Sequence, residues 1–264
     1  MYLDKDLSPC SQFEKSNSEN PMFSAFEPIV DLNRDMFARE ILFRVNDFNN
    51  SHVIVLKELR ARKETFMLFT RICQKAFNEA KVTGDIIHVN LEIQDLLNPS
   101  FLYFIDSILD SVGIKPSLIN FELLETEKIT SEVQKQVFTN LKILVKMGFL
   151  LSIDDLFSGY STKRRVNNIL LHGIDLHMVK IDGKFIQDAY IGSLYGYDSM
   201  LENVDINNIE GLSDYIEGLK SKDIKVLAEW IETENMLEFA KSLGAEYFQG
   251  YLFQNHTHKK LHII

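Results

Sequence analysis

Leu151–Tyr160 reads LSIDDLFSGY: an apolar run, then two adjacent aspartates, Asp154 and Asp155, before a short loop through Gly159. Buried strands of parallel sheets are nearly continuous apolar runs, and adjacent carboxylates repel unless something neutralises them. A strand with this ending predicts a barrel strand whose C-terminal end opens on a charged site, because βα loops build active sites at that end.

Seven other β-type runs surround it in sequence: SAFEPIVDL (24–32), FAREILFRV (37–45), DIIHVNLEI (85–93), SLINFELLE (117–125), HMVKIDGKF (177–185), IKVLAEWIE (224–232) and AEYFQGYLF (245–253). Helical stretches alternate with them: 54–80, 130–147 with a Ser/Thr start and Gly148 at its end, 162–171, 209–221 and 233–243. Only NRDM separates the first two runs, too little for a crossover, so they should pair antiparallel. The expected fold is α/β, a modified TIM-type (β/α)8 barrel with its first strand antiparallel, and 264 residues suit one such domain. The expected domain spans 23–264 after a flexible tail at 1–22. Residues 187–208 are expected to be a loop with a short helix.

Charge narrows the partners. A formal net charge of −10 disfavours DNA or RNA, whose backbone affinity comes from lysine and arginine. Cys10 and Cys73 have no metal-type spacing and suit a reducing compartment as inert thiols. Neither a secretory leader nor an apolar stretch of about 20 residues is visible, so a cytoplasmic protein without membrane insertion is expected. His256 and His258 read as surface residues rather than a metal clip.

Side chains alternate faces along a strand. In EILFRV the apolar Ile41, Phe43 and Val45 oppose Glu40 and Arg44; elsewhere Asn90, Glu122, Lys180 and Glu229 oppose apolar neighbours, and Trp230 falls on the outer, core-packing face. Together with Asp154 and Asp155, this sets five carboxylates, an amide oxygen and one lysine at a single mouth. Such a cluster repels itself unless it binds hard divalent cations, which take oxygen ligands.

The same motifs, in order, resemble the EAL-type cyclic di-GMP phosphodiesterases over roughly residues 24–253. FEPIVDL is similar to that family's Tyr-Gln-Pro-Ile-Val strand, EILFR to Glu-Ala-Leu-Leu-Arg, and VNLE to Val-Asn-hydrophobic-Ser. FELLETE resembles Leu-Glu-Ile-Thr-Glu, IDDLFSGYS resembles Asp-Asp-Phe-Gly-Thr-Gly-Tyr-Ser, and VKIDGKF matches Lys-Ile-Asp-x-x-Phe. AEWIET resembles Ala-Glu-Gly-Val-Glu-Thr, and FQGYLF matches Gln-Gly-Tyr.

The resemblance implies hydrolysis of cyclic di-GMP to linear pGpG with two divalent cations, Mg²⁺ or Mn²⁺, Ca²⁺ being inhibitory, in a homodimer. It implies that Glu40, Asn90, Glu122 and Asp154 hold one cation, and that Asp154 bridges to a second held with Asp155 and Glu229. Lys180 would sit beside the attacking water and Glu229 assist its deprotonation. Arg44 would hold a substrate phosphate, with Glu27 near the nucleotide where the family has glutamine. Glu125 would anchor the loop after Asp155, and Gln249 and Glu232 would complete the site.

Three departures bear on function. Ile41 replaces the motif's alanine on the helix-facing side, a mild change. Phe157 stands where the family has glycine, so a positive φ there would be costly. Trp230 also replaces a glycine. The competing readings are a receptor that binds the nucleotide without turnover, an interaction protein using the barrel alone, and an enzyme acting on another phosphoester.

Overall fold

The computed structural model describes residues 22–45, 51–195 and 209–256. Eight strands close into a barrel in sequence order: β1 Met22–Asp31, β2 Met36–Val45, β3 Ile86–Leu91, β4 Ile119–Leu123, β5 Leu150–Leu156, β6 Met178–Ile181, β7 Lys225–Ala228 and β8 Tyr247–Phe248. β1 runs antiparallel to both β2 and β8, and every other neighbouring pair is parallel. The hairpin turn is held locally: Asp31 Oδ1 accepts the Asn33 and Asp35 N–H groups at 2.8 and 3.0 Å, and Arg34 takes a left-handed conformation.

The stretch expected as one helix over 54–80 is two, Ser51–Arg62 and Thr65–Thr83, broken at Lys63 (φ 58°). A tertiary anchor accompanies the break: Thr65 donates to the buried Asp95 carboxylate at 2.7 Å. The helices Phe101–Val112 and Gly183–Tyr195 were not among the expected elements. The second of them takes in residues 187–195, while 196–208 lie outside the described residues, as do 1–21 of the expected tail and His258. Met22 already belongs to β1.

The main apolar core lies between sheet and helices, and Ile41 is buried within it beside Val89, Phe121 and Ile153. A second, smaller cluster, Ile29, Ala38, Met178 and Leu227, shares strand parity with the site residues and so fills the barrel floor. Two residues after Ala38, Met178 and Leu227 come Glu40, Lys180 and Glu229, where the interior turns polar. The barrel therefore rests on an apolar base and presents its charges only at the C-terminal mouth.

No helix among the described residues is long and apolar enough to cross a membrane.

Candidate active site at the barrel mouth

Lys180 is the centre of the site. It is 1% exposed, and its Nζ lies 2.8 Å from Glu229 Oε1, 2.9 Å from Asp154 Oδ1, and 3.2 Å from both Glu40 Oε2 and Glu122 Oε2. Four strand ends thus deliver carboxylates to one ammonium. Burial disfavours the charge on Lys180, but Asp154, Glu122, Glu229 and Glu40 together hold its pKa well above the usual lysine value.

One cation cannot neutralise four carboxylates. Burial foremost, with repulsion from neighbouring acids, raises Asp154 and Glu229 well above the ordinary carboxylate range and lifts Glu122 to about 8. Glu40 differs: burial works against its ionisation, yet Lys180 and the hydrogen bond from Gln249 keep its pKa below the ordinary value.

The opening pair of aspartates is explained by a bulge in β5. Ser152 and Ile153 pair with Met178 and Val179, but the next partners are Leu156 and Ile181, so Asp154 and Asp155 together oppose Lys180. Strict alternation would send Asp155 to the helix layer; a bulge re-aims a side chain by adding a residue. Asp155 sits in the left-handed region (φ 47°). Its carboxylate joins those of Asp154 and Glu125, with ligand atoms all within 4.8 Å of one another.

Glu125 therefore does more than anchor the following loop. Its backbone oxygen accepts the Tyr160 N–H at 2.9 Å, and Gly159 approaches it so closely that a Cβ there would lie 2.8 Å from that oxygen. Phe157 in this loop does adopt positive φ, 80°. The strain, about 1–2 kcal/mol for a non-glycine residue, is offset by packing of its ring 4.4 Å from that of Phe185.

The remaining expected residues divide. Asn90 Nδ2 donates to Glu40 Oε1 at 3.2 Å and Gln249 Nε2 to Glu40 Oε2 at 2.7 Å, so both join the cluster. Arg44 does not reach it: its guanidinium donates to Glu27 Oε1 at 3.0 Å and to the Phe43 carbonyl at 3.1 Å. Glu232 is exposed on the loop after β7, outside the cluster. Trp230 overturns the core-packing expectation. β7 ends at Ala228, so strand parity no longer applies two residues later; Trp230 is left-handed (φ 53°) and 55% exposed.

A polar layer that the motifs do not single out lies beneath the carboxylates. His88, Asn120 and Ser152 are fully buried. His88 Nδ1 lies 2.6 Å from Glu122 Oε1, and burial, then Lys180, drives the imidazole pKa down to about 3. The neutral ring and Glu122 share this hydrogen bond, which fixes the direction of the Glu122 carboxyl group. Asn120 Nδ2 donates to Ser152 Oγ at 2.7 Å, and that hydroxyl returns a bond to Asn120 Oδ1 at 3.0 Å. The signal was available: each stands two residues before Asn90, Glu122 or Asp154, on the same strand face.

The donor set fits hard divalent cations. Asn90 Oδ1 and Gln249 Oε1 are buried oxygens with no hydrogen-bond donor among the described residues. Buried polar atoms are rarely left so, and carboxylate with amide oxygens is the chemistry magnesium and manganese take.

A family model for the EAL domain matches residues 12–256. The chain belongs to the EAL domain family. It is 25% identical over 264 residues to the cyclic di-GMP phosphodiesterase PdeF of Escherichia coli, covering 96% of this chain and 32% of that protein. It therefore spans about a third of that relative's length. The solved EAL enzyme Bd1971, bound to cAMP and cyclic di-GMP, superposes with a TM-score of 0.73 at 19% identity, over 88% of this chain and 61% of that one. Klebsiella pneumoniae BlrP1, solved with manganese and cyclic di-GMP, gives 0.69 at 23% identity, over 88% and 55%. These EAL structures share the fold of this chain.

Proposed function

We propose that this chain is a cyclic di-GMP phosphodiesterase that cleaves one phosphodiester bond to release linear pGpG, acting as a cytoplasmic homodimer. The observation that carries the reading is the set of four carboxylates around Lys180 together with the donor-less amide oxygens of Asn90 and Gln249. The relative named as a phosphodiesterase supports the same substrate.

Glu40, Asn90, Glu122 and Asp154 would hold one cation; Asp154, Asp155 and Glu229, with Glu125 alongside, would hold a second. Mg²⁺ or Mn²⁺ would support turnover and Ca²⁺ inhibit it. When bound, such a pair neutralises phosphate charge and makes water acidic enough to ionise near neutral pH. Lys180 orients the attacking water through its ammonium, and Glu229, 2.8 Å from that ammonium, takes the water's proton. His88 holds Glu122 in its ligating direction.

Single-turnover hydrolysis of cyclic di-GMP tests this directly. Metal-dependent pGpG formation by the native chain, reduced to background in Glu40→Ala, is the expected result. Tight binding in Ca²⁺ without turnover in Mg²⁺ or Mn²⁺ would instead identify a receptor.

One contact weighs against nucleotide binding in either reading: Glu27 occupies Arg44, the residue expected to meet a phosphate. Glu27→Gln releases that guanidinium and removes a negative charge. Binding of cyclic di-GMP in Ca²⁺ should tighten by about fivefold, the equivalent of about 1 kcal/mol for a partly exposed pair. An unchanged or weaker Kd by calorimetry would show that Arg44 does not meet the phosphate.

A further inference from the structure

Trp230 is the single tryptophan of the chain, and two features of its placement work against folding stability. Its backbone is left-handed (φ 53°), which large side chains avoid. Its side chain is 55% exposed, so little burial offsets that strain. It is also held in place: a Cβ added to Gly183 would lie 2.0 Å from Trp230 Cγ, so the side chain rests against the Gly183 backbone.

The location ties it to the site. Trp230 directly follows Glu229, Gly183 comes three residues after Lys180, and those two charged groups are 2.8 Å apart. The indole therefore stands on the rim between the ends of β6 and β7. A second exposed aromatic, Tyr251 at 68%, lies on the neighbouring loop. The two loops are joined by the Ile231 N–H to the Gln249 oxygen and the Leu252 N–H to the Ile231 oxygen, both at 3.0 Å. A strained, pinned and exposed aromatic beside reactive groups suits a ligand face, since rigid rings give contact area at little entropic cost.

We propose that Trp230 is a nucleobase platform on which a guanine of the substrate stacks, an inference that rests on the cyclic dinucleotide reading above. Cations and Arg44 can hold phosphate, but a chain of net charge −10 offers the uncharged base little by electrostatics. Stacking needs only a π-face and supplies that missing contact.

Because no other tryptophan contributes, emission excited selectively in the indole band, beyond tyrosine absorption, reports this residue alone. Titration with cyclic di-GMP in Ca²⁺ should quench it saturably, at the Kd found by calorimetry, whereas ribose 5-phosphate should not. Trp230→Gly, which also relieves the backbone strain, should raise that Kd roughly 10- to 100-fold, and Trp230→Phe should recover most of the loss. Thermal melting confirms that each variant folds.

Binding by the native chain with unaltered emission, and an unchanged Kd in Trp230→Gly, overturns the platform and leaves the phosphodiesterase reading standing. Emission that changes on protein dilution but not with nucleotide assigns the indole to a protein contact and also overturns it. Absence of any nucleotide binding by the native chain overturns both.

Discussion

Lys180→Met is expected to lose both turnover and metal-free stability. The ammonium is the one positive charge within hydrogen-bonding distance of Asp154, Glu229, Glu40 and Glu122 among the described residues. Removing one partner of a buried ion pair leaves uncompensated charge and costs about 3–5 kcal/mol. At about 2–4 °C per kcal/mol for a chain of this size class, the variant in a chelator should melt roughly 6–20 °C below the native protein. Added Mn²⁺ should restore much of the difference, since it neutralises the same carboxylates. Turnover should not return: losing the group that orients and polarises the attacking water costs about 10²–10⁴-fold. Lys180→Arg should remain defective, because a planar guanidinium cannot serve four carboxylates arranged around a point. A variant that melts like the native protein in chelator would show that Lys180 does not hold the cluster together.

That cluster was legible because barrel strands obey two simple rules. Alternation separated Glu40, Asn90, Glu122 and Lys180 from their apolar neighbours, and the shortness of NRDM fixed the antiparallel opening hairpin. The rules failed where strands stop or deform. Asp155 reaches the mouth through a bulge that no periodicity announces, and Trp230 was assigned a face by extending β7 past Ala228. β6 was likewise read too far, because Asp182 leaves the ladder to accept the Phe185 N–H at 2.7 Å and start a helix.

His88 was missed for a different reason. Its strand position marked it as inward-facing, but its role depends on Glu122 of the adjacent strand, 2.6 Å away. Likewise, the charge of Glu27 was visible in sequence, but its pairing with Arg44 depends on how β1 lies against β2. The chemistry is written along each strand, whereas the pairings between strands are set by tertiary structure.

Metal binding should reverse the pH dependence of stability. Without metal, burial and acidic neighbours raise the folded-state pKa of Glu122 to about 8, against an ordinary value of 4.5. Asp154 and Glu229 shift in the same direction. Between those two pH values the folded chain holds protons that the unfolded chain has released, so stability falls as pH rises through the window. The contribution is fully present below the ordinary carboxylate pKa and is lost by the time the pH passes the folded value. Divalent cations bind the ionised carboxylates and displace those protons, so their affinity grows over the same range. The protein in chelator should therefore melt at a lower temperature at about pH 8 than at about pH 6, while the increment from Mn²⁺ should be larger at the higher pH. Calorimetry in two buffers of different ionisation enthalpy should register proton release on binding near neutral pH. A metal-free melting temperature that rises across this window, or binding without proton release, would mean that the carboxylates are already ionised and that Lys180 alone suffices to hold them.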